Sequence, residues 1–353
     1  MADDEATLAE RFSHFATVDC HSTSPLYEAV AAAIAGSPDA LAVIARAPER
    51  KQHPTLIMAA LHDLVLQGRA PDLADAYDAG DRDAARELAP RALIELADDV
   101  IALATFRQTQ TNEVGRGAVL YPAIAEAARR CDASSVALID VGCSAGLNLQ
   151  VDRIGVRYSG GTVLGDAASP VQLECDEVGP NALPATPIAP VVARIGVDLT
   201  PLDATDEADA RWLHACLWPD QPERVARLNA AIALSESNPP TLIAGDALER
   251  LPDAFALVPA DALPVVTTTW ALAYFALSER LRFLRRLDEA AATRPVAWVS
   301  AEGVGIAPAV PTMGDARGAA HSVVGLAVLN GPSLRVDAIG RCHPHGRWLE
   351  WLG

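Results

Sequence analysis

The chain carries a single lysine, Lys51, so nearly all of its positive charge must come from arginine. Its 28 basic residues face 46 acids, a formal charge of -18, and such a surface repels phosphate backbones over most of its area. Nucleic acid is therefore not expected as a partner. No apolar run approaches the roughly 20 residues that a membrane-spanning helix needs. The start, MADDEATLAERF, lacks the basic lead and apolar stretch of a signal peptide. These absences predict a soluble cytoplasmic protein with no membrane partner. The six cysteines (Cys20, Cys131, Cys143, Cys175, Cys216 and Cys342) include no C-x-x-C pair, so neither a zinc knuckle nor a disulfide framework is expected. Buried thiols are the simpler account.

What is present is enough apolar material, half of 353 residues, for one large core or two modest ones. Residues 1–132 read as an α-helical cap domain. SPLYEAVAAAIAG places Ser24 as an N-cap, Pro25 at the first helical position and Gly36 at the end, and HPTLIMAALHDLVLQG repeats the device with Pro54 and Gly68. In DRDAARELAPRALIELADDVIALATF the apolar spacing is helical, with Pro90 expected to break or kink it.

The texture changes at Val136. Seven β-rich runs come after it: 136–141, 191–198, 241–246, 264–270, 296–303, 322–330 and 333–340. Helical stretches separate most of them, which predicts an α/β domain over 133–353 with a mostly parallel sheet covered on both faces. The last two runs meet at Asn330-Gly331-Pro332, a link suited to a hairpin. Between 150 and 190, short β-like pieces lie among Gly, Pro and acids, and this reads as an insertion.

The stretch VALIDVGCSAGLNLQ (136–150) carries the chemistry. A strand ends in an acid, meets a tight glycine turn and enters a helical pattern. A dinucleotide turn wants G-x-G-x-x-G, but Gly142, Ser144 and Leu147 occupy those places, and Asp140 would sit near two phosphates. Gly142-Cys143-Ser144-Ala145-Gly146 matches the nucleophile elbow of a serine hydrolase, with Asp198 or Asp246 and then His321, His343 or His345 in permitted order. That fold, however, requires strands before the elbow, and none is read here. A third reading takes S-adenosylmethionine as the ligand. It bears an ammonium and a sulfonium but no phosphate, and a nearby carboxylate favours cations.

LIDVGCSAGLN resembles the first motif of class I S-adenosylmethionine-dependent methyltransferases, a family with a Rossmann-like seven-stranded sheet. RIGVDLTPLD, LIAGDAL and TTTWALAYF resemble its later motifs, and together they cover about the last 220 residues. The resemblance implies a cofactor site made of Asp140, Gly142, Ser144, Gly146 and Asn148 at the turn. Asp198 would lie on the ribose hydroxyls, Asp246 and Ala247 beside the adenine, and Trp270 with Tyr274 beside the methyl group. Since 56 positions separate Gly142 from Asp198, the insertion must be looped out for Asp198 to serve. More narrowly, the chain is similar end to end to a bacterial family known only as a domain of unknown function. The shared segments are QTNEVGR (110–116), GCSAGLNL, WPDQPER (218–224) and HPHGRWLEW (343–351).

QTNEVGR is polar between two apolar helical segments. It could bring Asn112 and Arg116 to a substrate, or it could simply start a helix with Thr111 or Asn112 as N-cap and Glu113 in the first turn. Glu113, Tyr274 and His345 are the candidate proton acceptors, and nothing in the sequence chooses among them. His343 and His345 lack the further ligands of a metal site, so no metal is expected. The expected partner is a small or medium-sized acceptor molecule. Two alternatives remain open: a serine hydrolase using Ser144, and a non-catalytic S-adenosylmethionine-binding regulator.

Overall fold

All seven β-rich runs form strands, but four more join them in one eleven-stranded sheet of mixed direction, which corrects the expectation of a seven-stranded sheet. The computed structural model describes residues 7–21 and 23–353, so residues 1–6, the first part of the stretch read for a signal peptide, lie outside it. Among the described residues no single helix is long and apolar enough to cross a membrane. The chain divides into two compact units, Met1–Thr111 with Thr205–Leu228 and Asn112–Ala204 with Asn229–Gly353.

The first unit is helical for the reasons its sequence suggests. Ser24 Oγ accepts from Tyr27 N at 3.1 Å, capping the helix Pro25–Ala35, and donates to Asp220 at 2.5 Å. Pro90 is carried within the helix Arg82–Glu95 without ending it; the break comes at Leu96, before the helix Ala97–Phe106. Trp218 packs its ring against Phe15 and Tyr27, with centroids 6.0 and 5.9 Å away.

The second unit holds the sheet. Its strands are β1 (Val136–Val141), β2 (Gly155–Tyr158), β3 (Val163–Gly165), β4 (Gln172–Val178), β5 (Val191–Asp198), β6 (Thr241–Ala244), β7 (Leu263–Thr269), β8 (Val296–Gly303), β9 (Ser322–Asn330), β10 (Ser333–Cys342) and β11 (Trp348–Trp351). They lie in the order β3-β2-β4-β11-β10-β9-β8-β7-β1-β5-β6. The block β6-β5-β1-β7-β8 is parallel throughout, and β9, β10 and β11 then alternate in direction. The hairpin expected at Gly331-Pro332 is present, with Asn330 opposite Ser333.

The insertion explains the extra strands. It leaves β1 and forms β2, β3 and β4 at the far edge of the sheet, where β4 pairs in parallel with both β2 and β11. It then returns to β5 beside β1. The terminal WLEW is the strand that bridges β10 to β4.

Alternation along each strand sorts side chains between two faces. Ala137, Ile139 and Val141 pack with Val197, Val266 and Trp298 against Leu248, Leu251, Phe283 and Leu287 of the helices Ala247–Ala256 and Leu277–Ala291. Leu138 and Asp140 face the other way, toward the side covered by the helix Gly117–Arg130. That helix lies in the sheet-bearing unit, and Gly117 is pressed so close that a Cβ there would come within 2.4 Å of Ile154 Cδ1.

Candidate functional site

Once the insertion is looped out, the chain passes from β1 to β5 and β6 on one side, and later to β7 and β8 on the other. The order therefore reverses between β1 and β7, and in open α/β sheets the strand ends at such a point form a crevice suited to ligands. The glycine turn occupies this place. Gly142, Ser144 and Gly146 have φ of 75°, 54° and 69°, so three left-handed residues fold the chain back within five positions. The helical pattern that comes after the turn is a 3-10 helix, Leu147–Arg153. The turn from β7 meets this one, because a Cβ on Gly142 would lie 2.8 Å from the Cβ of Ala271.

Asp198 ends β5 beside the turn. Its Oδ2 accepts from Ser144 N at 2.8 Å and its Oδ1 from Thr200 N at 3.0 Å. Gly245 N in turn donates to Asp198 O at 2.8 Å, tying in the end of β6. Asp246 is exposed and caps its helix through Leu248 N at 2.8 Å, with Ala247 buried behind it. Trp270, at the end of β7, holds a left-handed φ of 57° and donates from Nε1 to Ser322 Oγ at 2.9 Å, turning its indole toward β9. Tyr274 is 88% exposed and stands apart from this group.

A second set of side chains underlies the same edge. Arg116, 8% exposed, donates from Nη1 to Thr269 O at 3.0 Å and from Nε to Pro344 O at 3.1 Å. Facing its charge are Glu113, Glu302 and Asp140, all buried. Asp140 Oδ1 accepts from Thr267 Oγ1 at 2.8 Å. Glu302, at the end of β8, accepts from Ala271 N and Leu272 N, each at 3.1 Å, through the same oxygen. Sequence reasoning passed over Glu302, although the signal was there: VAWVSAEG ends an apolar run in an acid, as VALIDV does.

Burial dominates the electrostatics of both acids. It pushes Asp140 up to about 7, against the lowering effects of the Thr267 hydroxyl and Arg116 and with some help from Asp198. It also pushes Glu302 up to about 7, although the amides of Leu272 and Ala271 and the charges of Arg116 and Arg280 oppose it. In the unfolded chain such groups titrate near about 4. The native state therefore binds more protons between those values, and stability declines as pH rises through this window and levels off above it. Asp140→Asn removes one of the two titrations. Thermal unfolding from pH 5 to pH 8 should show a shallower decline in this variant than in the wild type.

The two polar segments at the chain's flanks of this domain meet here. A Cβ on Gly346, whose φ is 73°, would sit 2.0 Å from Gly115 O, so HPHG packs directly on VGR. His345 Nδ1 lies 3.7 Å from Glu113 Oε2, an ion pair when the imidazole is protonated, and His343 Nδ1 accepts from His345 N at 3.0 Å. Gly346→Ala must open this contact as well as strain the backbone, a loss of about 1–3 kcal/mol. A lower denaturant midpoint is the expected result.

Buried side-chain atoms without a hydrogen-bond partner include Asn112 Nδ2, Ser144 Oγ, Asn148 Oδ1, Gln150 Oε1, Ser300 Oγ and Glu302 Oε2. Buried polar groups are paired in the great majority of cases, so these atoms keep unused bonding capacity. The structure thus brings together Glu113, Arg116, Asp140 and His345 and, at the turn, Gly142, Ser144, Gly146 and Asp198, with Asp246 and Ala247 at the end of β6 and Trp270 at the end of β7; Asn112 precedes Glu113 and Asn148 follows the turn in the chain. The orphan on Ser144 also means that no imidazole bonds its hydroxyl, and His321 Nε2 is instead 3.0 Å from Asp315 Oδ2.

No curated protein matches the sequence. A family model does, over residues 9–351, and its description reads uncharacterized protein conserved in bacteria. With almost the whole chain covered, the protein belongs to that bacterial family, DUF2332.

Proposed function

We propose that the protein is an S-adenosylmethionine-dependent methyltransferase acting on a small or medium-sized acceptor. One observation carries this reading. The glycine turn after β1 and the acid at the tip of the adjacent β5 touch directly, Asp198 Oδ2 to Ser144 N at 2.8 Å, despite the 56 positions between Gly142 and Asp198. The order β6-β5-β1-β7-β8 supports it, because it reverses between β1 and β7, the place where open α/β sheets bind ligands.

The residues fit the cofactor's chemistry. Unpartnered Ser144 Oγ and Asn148 Oδ1, beside the exposed backbone of Gly142, offer hydrogen bonds to its methionine portion. Each oxygen of Asp198 takes only one backbone amide, so both keep a lone pair for ribose hydroxyls. Ala247 and Asp246 would flank the adenine. The acids around Arg116 outnumber it, which favours a cationic ligand and disfavours a diphosphate. Bound S-adenosylmethionine supplies an electrophilic methyl group on a sulfonium. The chain's part is to orient the acceptor in line with that group and to take up its proton. Glu113, with His345 at 3.7 Å, stands beside the crevice as a proton acceptor, and the exposed Tyr274 is worse placed for that role.

The formal charge of -18 argues against polyanionic acceptors. Calorimetric titration with S-adenosylmethionine and S-adenosylhomocysteine tests the reading. Binding that is lost in Asp198→Ala supports it. No binding, together with an esterase activity lost in Ser144→Ala, would establish the hydrolase instead, and binding without turnover on an acceptor panel would favour a regulator.

A further inference from the structure

Asp140 and Glu302 end β1 and β8, the two strands that flank β7. Each has one oxygen held by a neighbouring donor, and in Glu302 the other oxygen is buried without one. Asp140 Oδ1 takes the Thr267 hydroxyl. One Glu302 oxygen takes two amides, while Oε2 has no partner although the residue is only 1% exposed. Ser144 Oγ, buried in the adjoining turn, is likewise unpartnered. The two sites are coupled through the backbone, since Glu302 holds the amide of Ala271, whose Cβ faces Gly142.

The charges around the pair do not balance it. Asp140 faces Arg116 and, unfavourably, Asp198. Glu302 faces Arg116 and Arg280. Arg116 is shared with Glu113 as well and spends its hydrogen bonds on Thr269 and Pro344, while Arg280 Nε serves Leu272 O and Phe275 O. A buried carboxylate short of positive charge takes up a proton. A cation arriving in the crevice replaces it.

We propose that Glu302, acting with Asp140, is a proton-loaded receptor for the sulfonium charge, so that the site selects S-adenosylmethionine over S-adenosylhomocysteine and releases a proton on binding it. The inference rests on the cofactor reading. The two ligands share their ammonium and carboxylate and differ in the sulfonium, so their difference isolates the effect. Burial pushes both acids up to about 7, which places the release near neutral pH. At pH 6 the protons must be displaced and the cation binds more weakly. At pH 8 the acids are already ionised, and the preference is fully expressed.

The test is calorimetric titration of the full chain at pH 7 in buffers of different ionisation enthalpy. S-adenosylmethionine should release about half a proton more than S-adenosylhomocysteine, and their affinity ratio should rise by up to about tenfold from pH 6 to pH 8. Sinefungin, with a protonated amine in place of the sulfonium, should behave as S-adenosylmethionine does. Glu302→Gln keeps a side-chain oxygen for the two amides and should abolish the difference. Equal proton release by the two ligands in the wild type overturns the inference while leaving the cofactor reading intact, and so does a difference that survives in Glu302→Gln. Failure of all three ligands to bind overturns both.

Discussion

Gly142→Val should abolish S-adenosylmethionine binding, with a loss of at least about 100-fold, or roughly 3 kcal/mol. Two effects act together. At φ 75° a β-branched residue is strained, and its Cβ would stand 2.8 Å from that of Ala271. The turn from β1 and the turn from β7 must therefore separate at the point where the sheet order reverses. The exposed backbone that would approach the methionine portion is covered at the same time. Because β1 is buried along its whole length, the sheet should survive, and the far-ultraviolet circular dichroism of the variant should match the wild type. Calorimetric titration checks the result. Undiminished binding in a folded Gly142→Val protein would mean that the turn is not the ligand's seat.

Arg116→Met should cost the fold about 3–5 kcal/mol, because it leaves buried carboxylates without their shared cation. The loss is spread over several partners: Glu113, Asp140 and Glu302 lose a favourable charge, and the carbonyls of Thr269 and Pro344 lose donors. A fall in melting temperature on the order of 10 °C is expected for a domain of this size. The sign of the pH dependence is fixed by the same cluster. Arg116 is one of the influences holding Asp140 and Glu302 down, so without it both acids bind protons more tightly in the native state. The deficit should be larger at pH 8, where the acids must ionise, than at pH 6, where protons stand in for the guanidinium. Thermal unfolding at the two pH values measures it. Arg116→Lys should recover only part, since an ammonium does not reproduce the guanidinium's fixed fork between two carbonyls.

Much of the fold was legible because the relevant signals are local. The strands β1, β5, β8 and β9 are apolar runs whose limits coincide with turn residues, and Ser24, Pro25 and Gly36 bound a helix as their chemistry demands. The strand count was not legible. The segments β2, β3 and β11 have only four, three and four residues, and the pairing of β4 with β11 depends on contacts between residues more than 170 positions apart. No periodicity records that. Pro90 does not break its helix, Arg82–Glu95, whose buried face includes Ala85, Ala89 and Leu93.

The site divides in the same way. Asp140, Gly142 and Gly146 declare themselves through an acid and two glycines around one turn. Asp198 was placed by resemblance, and the looped-out insertion explains how it returns to β1. Arg116 and Glu113 were noticed for their polarity between apolar helices, but their tie to Pro344 and His345 joins opposite ends of the domain. Glu302 also ends an apolar run in an acid, but it falls outside the motifs that carry the resemblance. In the structure its unpartnered oxygen, beside the one that holds the Ala271 amide, sets it apart.

The most direct test of the central claim is a crystal structure of the protein with S-adenosylhomocysteine. The account predicts the ribose hydroxyls on Asp198, the amino-acid portion along Gly142–Gly146 and the adenine beside Ala247. A diphosphate held at those amides on soaking with dinucleotides, an acyl adduct on Ser144 from an ester, or S-adenosylhomocysteine bound elsewhere would contradict it.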